Sequence, residues 1–126
     1  MSNHNYDQLL HDIFVTACEG GVNYWAMLGE YRWSTDGGVT EDLEGFRATV
    51  YDNESDEADR PAYVLDRTAM DRGYRLACGE WREKFVWQCD PDLPQPDDVT
   101  EDGWDHDAFD ADAIVQLGLL GDVVYG

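Results

Sequence analysis

Apolar residues recur along this chain at two different periods, and the changes of period mark its elements. Between residues 6 and 19, Leu9, Leu10, Ile13, Phe14 and Ala17 fall at helical spacing and form one stripe, which predicts an amphipathic helix. Asn5 stands where an N-cap belongs, and Gly20-Gly21 stand where the chain must leave the helix. From Val22 to Trp33 the period falls to two. Trp25, Met27, Tyr31 and Trp33 then share one face of a strand, while Tyr24, Ala26 and Leu28 share the other. A second strand is expected from Phe46 to Asp52, where Phe46, Ala48 and Val50 alternate with Arg47, Thr49 and Tyr51. A short third strand, Ala62 to Leu65, follows Pro61. Polar loops from Ser34 to Glu44 and from Asp52 to Asp59 separate these runs, so an antiparallel meander is the simplest connection.

The helical period returns over residues 67–85, where Met70, Tyr74, Ala77, Trp81 and Phe85 line one side and Asp66 is placed to cap the start. Gly73 and Gly79 weaken that helix by up to about 1 kcal/mol each relative to Ala, unless they admit close packing against the sheet. Residues 88–112 contain ten acids and no base, with Pro91, Pro94 and Pro96 in their first part, and read as an excursion too polar for the core. A last helix is expected from Asp110, with Ile114, Leu117 and Leu120 on one side and Val115 and Leu119 beside them, stopped by Gly121. Val123-Val124-Tyr125 then forms an apolar tail suited to an edge strand or a dimer contact. The expected fold is α+β: a small antiparallel sheet of about three strands with two or three helices packed on one face. Residues 1–126 form a single domain, crossed outside by the 88–112 excursion.

Composition agrees with one core. The chain has 126 residues, 43% of them hydrophobic, with five Trp, seven Tyr and four Phe. That length buries roughly two-thirds of the surface exposed by the unfolded chain, so folding needs neither disulfide nor metal. Cys18, Cys78 and Cys89 are odd in number and scattered, as in reduced cytosolic proteins. The N-terminus lacks the basic and apolar stretches of a signal peptide, and no run is long enough to span a membrane. A cytoplasmic location is expected, the host cytosol for a viral protein.

Charge changes the picture most. Asp and Glu number 28 against 8 Lys and Arg, a formal net charge of −20. Such a chain repels phosphate backbones and anionic membranes, which excludes direct binding to nucleic acid or to an acidic lipid surface. The acids also cluster, with nine in residues 36–59 and ten in residues 90–112, against four in the first 31 residues.

No complete catalytic constellation is present. The run Asp98-x-Thr100-x-Asp102-Gly103-x-x-His106 resembles the start of an EF-hand loop, but the twelfth position is Phe109 rather than Glu and prolines replace the entering helix. His4, His11, His106 and the three cysteines show none of the spacings of zinc sites. A nucleophile elbow and a phosphate-binding loop are absent, and carboxylate pairs such as Glu41-Asp42 fall in polar loops. No cofactor or metal is expected, and the sequence leans away from an enzyme.

Two stretches carry a resemblance. Glu19-Gly20-Gly21 followed by Tyr24-Trp25, and Ile114-Val115-Gln116-Leu117 followed by Leu120-Gly121-Asp122-Val123-Val124-Tyr125-Gly126, resemble segments of small uncharacterised proteins of bacteriophages and actinobacterial mobile elements. The resemblance covers the two ends of the chain, implies a viral or mobile-element accessory protein, and brings no catalytic residue with it.

Three functional readings follow. In the first, the clustered carboxylates imitate the spaced negative charge of nucleic acid and bind a basic, nucleic-acid-handling host protein such as a nuclease, polymerase or defence complex. Asp97, Asp98, Glu101, Asp102, Asp105 and Asp107 then supply the charge, with Trp104 as an aromatic anchor. Alternatively Trp104 tucks back onto the core. In the second, the aromatic strand around Trp25, Tyr31 and Trp33, with Arg47 as an anion contact, binds a small molecule or nucleotide. In the third, the charge serves only the solvation of a salt-adapted structural domain.

Overall fold

The chain is seen here in a computed structural model that describes residues 4–22, 25–34, 43–52, 62–79 and 93–124. Helix α1 spans His4–Thr16 and runs on through a single π turn, Ala17–Gly21. The expected stripe is its buried face: Leu9, Leu10, Ile13 and Phe14 all lie in the core, joined by Ala17. Asn5 sits inside the first turn rather than at the cap, and its side-chain amide donates to Val99 O (3.4 Å). A Cβ at Gly21 would stand 2.7 Å from Ala108 O, so a glycine is needed where the end of the π turn meets the start of the last helix.

Strands β1 (Ala26–Arg32), β2 (Arg47–Asp52) and β3 (Ala62–Asp66) form an antiparallel sheet in sequence order, the expected meander. Ala48 faces Leu65 and Val50 faces both Leu28 and Tyr63 on the side that meets the helices. Met27 faces Tyr51, Gly29 faces Thr49, and Thr49 faces Val64 on the other side. The two-residue phase expected for β1 does not survive its whole length. Between Gly29 and Arg32 the register slips, and Glu30 takes a left-handed conformation (φ 51°). This bulge inserts one residue, and a one-residue slip carries every later side chain to the opposite face. Met27 therefore points away from the helices, whereas Tyr31 points toward them and packs on Phe14 (ring centroids 5.6 Å). Trp25 precedes the strand and is wholly buried.

Helix α2 (Arg67–Cys78) starts from Asp66, whose carboxylate accepts from Ala69 N (3.0 Å), as the sequence suggests. It ends at Cys78, where Gly79 N bonds to Arg75 O and Leu76 O, and not at Phe85. The expected helical positions Trp81 and Phe85 lie outside the described residues, as do Tyr24, Tyr125, most of the two polar loops and the first part of the acidic excursion. Helix α3 (Ala108–Leu120) begins earlier than expected. Asp107 is its N-cap and Asp110 the reciprocal partner at the third helical position, a complete capping box. Gly121 ends it in the left-handed conformation (φ 77°), as expected.

Helix α3 is the centre of the molecule, with Asp110 to Gly118 all buried. It crosses α2 at two glycines. A Cβ at Gly73 would stand 2.2 Å from Ile114 O, and one at Gly118 would stand 2.3 Å from Ala69 O. The Gly73 predicted to approach the sheet approaches α3 instead. The polar side chains of α3 are satisfied internally: Asp112 accepts from Trp25 Nε1 (2.7 Å) and from Gln116 Nε2 (2.8 Å), and Gln116 Oε1 accepts from Val124 N (2.8 Å). That last bond holds Val124 against α3, where no strand forms. All three helices lie on one side of the sheet: α1 through Phe14 against Phe46 and Tyr31, and α2 and α3 against β3. Among the described residues, no helix is long and apolar enough to cross a membrane.

If the α2–α3 crossing depends on the missing side chains, Gly118→Ala must push the helices apart and lower unfolding stability by about 1–3 kcal/mol, the usual penalty of overpacking. Gly121→Ala, where a Cβ would meet nothing within 4 Å, must lose only about 1 kcal/mol through its backbone conformation. Urea unfolding of the two variants checks the order, and an equal loss would place the constraint elsewhere.

Candidate functional site

The acidic stretch before α3 is rooted in the core rather than laid across the outside, a correction to the expected solvated excursion. Leu93, Pro96, Val99 and Trp104 are buried along it, while Asp97, Asp98, Glu101, Asp102 and Asp105 are exposed between them. A short 3-10 turn, Pro96–Asp98, presents the first two carboxylates, with Asp98 N bonded to Gln95 O (2.8 Å). Tyr74 Oη donates to Pro94 O (2.6 Å) and Asn5 reaches Val99 O, so α2 and α1 both hold the segment. The five charges therefore occupy set positions on a built surface.

Trp104 is 5% exposed, so its ring belongs to the core and not to the open surface. Its ring meets Tyr74 edge-on (6.4 Å) and stacks on His106 (5.7 Å). Of the two readings, the one in which Trp104 tucks onto the core holds, because an indole gains more from burial beside Tyr74 than from exposure among carboxylates. Asp107 also leaves the candidate surface, since its carboxylate accepts from Asp110 N (2.9 Å) to cap α3. His106 ties the segment to α1: its Nδ1 lies 2.8 Å from Trp104 O and its Nε2 3.1 Å from Thr16 Oγ1.

A cleft of about 410 Å³ opens between the first turns of α1 and the turn at Thr100–Trp104. His4, Asn5, Gln8 and Asp12 line one side, and Glu101 and Asp102 the other. Asp12 thus joins the carboxylates of the acidic segment, with Gln8 Nε2 donating to it (3.0 Å). Sequence reasoning missed Asp12 because nearly ninety residues separate it from its neighbours in the cleft, and no local pattern reports such a contact. Among the described residues, no group of three or more His, Cys, Asp or Glu side chains could hold a metal ion.

The alternative ligand set does not come together. Trp25 is enclosed and bonded to Asp112, and Tyr31 packs on Phe14 beneath the sheet. Trp33 lines a separate cleft of about 400 Å³ with His11, Val15 and Glu19. Arg47 points from the opposite side of the sheet, across from Arg32. The bulge at Glu30 and the burial of Trp25 separate what a regular strand would have aligned.

Buried titratable groups near α1 support the fold. Tyr6 donates to Asp71 (2.6 Å), and burial, with that bond to a carboxylate, pushes its phenol above the usual range. Arg67 Nε donates to Asp7 (3.0 Å), tying the start of α2 to α1. Burial pushes the Cys18 thiol up to about 12, helped by the nearby charge of Glu19, and raises Tyr31 for the same reasons with Cys18 added. A thiol so placed stays neutral at physiological pH and is a poor nucleophile. No protein-family model, curated protein or solved structure matches the chain.

A raised thiol pKa has a stability consequence of definite sign. The unfolded thiol ionises near 9.0 and the folded one near 12, so the unfolded state loses its proton first and stability falls as pH rises through that window. Cys18→Ala must make the decline between those two values shallower, whatever it does to stability at neutral pH. Urea midpoints taken across the alkaline range give the slope, and an unchanged slope would remove Cys18 as its source.

Proposed function

We propose that this domain is a non-catalytic acidic interaction protein, an accessory of a virus or mobile element, which binds and blocks a basic surface on a nucleic-acid-handling protein. The observation that supports this reading is the alternation along residues 93–105. Buried Leu93, Pro96, Val99 and Trp104 fix the backbone, and exposed Asp97, Asp98, Glu101, Asp102 and Asp105 stand between them. Carboxylates on a fixed backbone lose less freedom on binding than the same charges on a loose tail. Asp12, across the cleft, extends the negative surface onto α1.

A net charge of −20 also sets how such a partner is found. It draws cationic surfaces from solution and speeds encounter at low ionic strength, and it repels nucleic acid itself. The target's lysines and arginines, which ordinarily neutralise phosphates, would meet side-chain carboxylates instead. Cytoplasmic action, in the host for a viral protein, fits a target of this kind.

Affinity capture with the tagged domain tests the proposal when paired with a variant carrying Asp97→Asn, Asp98→Asn, Glu101→Gln, Asp102→Asn and Asp105→Asn. A basic nucleic-acid-binding protein should be retained by the native domain and released as salt rises. The variant should bind it at least about tenfold more weakly and with a flatter salt dependence. The native domain should also compete with nucleic acid for that protein. Equal retention by the variant, or capture without competition, would overturn the reading.

A further inference from the structure

The second cleft, of about 400 Å³, lies against the last turns of α1, and its walls differ from those of the acidic segment. Val15 and the indole of Trp33 give it an apolar side; His11, Asp12, Thr16 and Glu19 supply the rest. Trp33 is partly exposed, and it is fixed from beneath. His11 is 1% exposed, and its Nε2 donates to Trp33 O (2.8 Å), which ties the residue after β1 to α1. The two rings also meet edge to face, with centroids 6.5 Å apart. The aromatic wall is thus in place before any ligand arrives, which lowers the ordering cost of binding.

The polar groups of the cleft offer negative charge. Thr16 is already engaged, since its hydroxyl donates to Asp12 O (2.9 Å) and lies 3.1 Å from His106 Nε2. Asp12 accepts from Gln8 Nε2 (3.0 Å) on one carboxylate oxygen, Oδ1. Glu19 is exposed on the π turn. Among the described residues, neither carboxylate is paired with a cation, and no basic side chain lines the cleft. Such a site repels an anion. A cation with a flat face answers both walls, because an indole face attracts positive charge and carboxylates accept charge-assisted hydrogen bonds.

We infer that this cleft takes a guanidinium group, supplied by an arginine side chain of the basic partner. That source rests on the function proposed above, whereas the guanidinium chemistry rests on the cleft alone. Spacing selects guanidinium over ammonium. Asp12 and Glu19 are seven residues apart, so about 10 Å of helix separates their backbones. A guanidinium carries five N–H donors around a flat rim and reaches acceptors on two of its edges while its face lies on an indole. An ammonium is a compact point charge and does neither over that span. Asp12 is also a wall of the first cleft, with Glu101 and Asp102 across from it. An arginine seated on Trp33 therefore lies beside the acidic surface, and it gives that surface the open aromatic contact that the buried Trp104 cannot.

Titration of the isotope-labelled chain with N-acetyl-argininamide, followed by NMR at the Trp33 indole N–H and the backbone amides of α1, tests the site without any partner. The expected result is a saturable shift at this cleft with a dissociation constant of roughly 1–10 mM. N-acetyl-lysinamide should bind at least about threefold more weakly. Glu19→Gln and, independently, Asp12→Asn should each weaken the arginine amide by about threefold. Both side chains are exposed, so the fold is kept. Asp98→Asn, outside the cleft, should have no such effect. An absent or unsaturable shift at Trp33, equal binding of the two amides, or indifference to both cleft substitutions would overturn the inference. Glu19→Gln should also weaken capture of the basic protein; undiminished capture would overturn the partner's arginine as the occupant and leave the site to a free guanidinium compound. The titration needs no partner, so it can succeed where capture fails, and the two proposals fail separately.

Discussion

Two glycines, Gly73 and Gly118, let α2 and α3 approach until backbone meets backbone, and most of the structure depends on that approach. With any side chain at either position the helices would stand further apart, since a Cβ on each would fall 2.2–2.3 Å from a carbonyl oxygen of its neighbour. Close crossing lets α3 sink between α2 and the π turn that ends α1, and its length from Asp110 to Gly118 is buried as a result. A helix enclosed on all sides must satisfy its polar side chains internally. Trp25, Asp112, Gln116 and Val124 do so as one chain of hydrogen bonds, joining the start of β1 to the C-terminal end through α3.

The same enclosure explains how so acidic a chain holds a compact fold. Several of its carboxylates are structural. Asp66 and Asp107 cap helices, Asp110 completes a capping box, Asp112 sits in the buried network, and Asp7 binds Arg67. These acids are each given donors where the chain turns or packs, so their burial does not leave an unpaired charge. The remaining acids in the described 93–107 stretch sit on a backbone pinned by Leu93, Pro96, Val99 and Trp104. The density of charge on that surface is a property of the core beneath it.

Much of the fold could be read from the sequence because its signals are local. The stripe on α1, the alternation in β2, the cap at Asp66 and the stop at Gly121 depend on neighbours a few residues away, and each stands where expected. The errors come from interactions that act at a distance. Nothing in residues 26–32 announces the bulge at Glu30, so Met27 and Tyr31 were expected on one face and lie on two. Asp110 reads as a helix start by itself, but Asp107 is better placed to accept its amide once the chain arrives from the buried Trp104. The acidic segment reads as solvated because its composition is polar, whereas its few apolar side chains decide its position. For the candidate surface, the exposed acids from Asp97 to Asp105 were visible as a cluster. The burial of Trp104 and the addition of Asp12 required the third dimension.

The acidic segment adjoins α1 and α2 through Asn5, Tyr74 and Trp104, on the helical side of the sheet. It also leads directly into α3, because Asp107 near its end is the cap of that helix. The charged surface and the buried helix are therefore consecutive stretches of one backbone, and the packing that fixes one fixes the other. The number of acids is a matter of composition, but where they stand is decided by how α3 seats against α2 and the π turn.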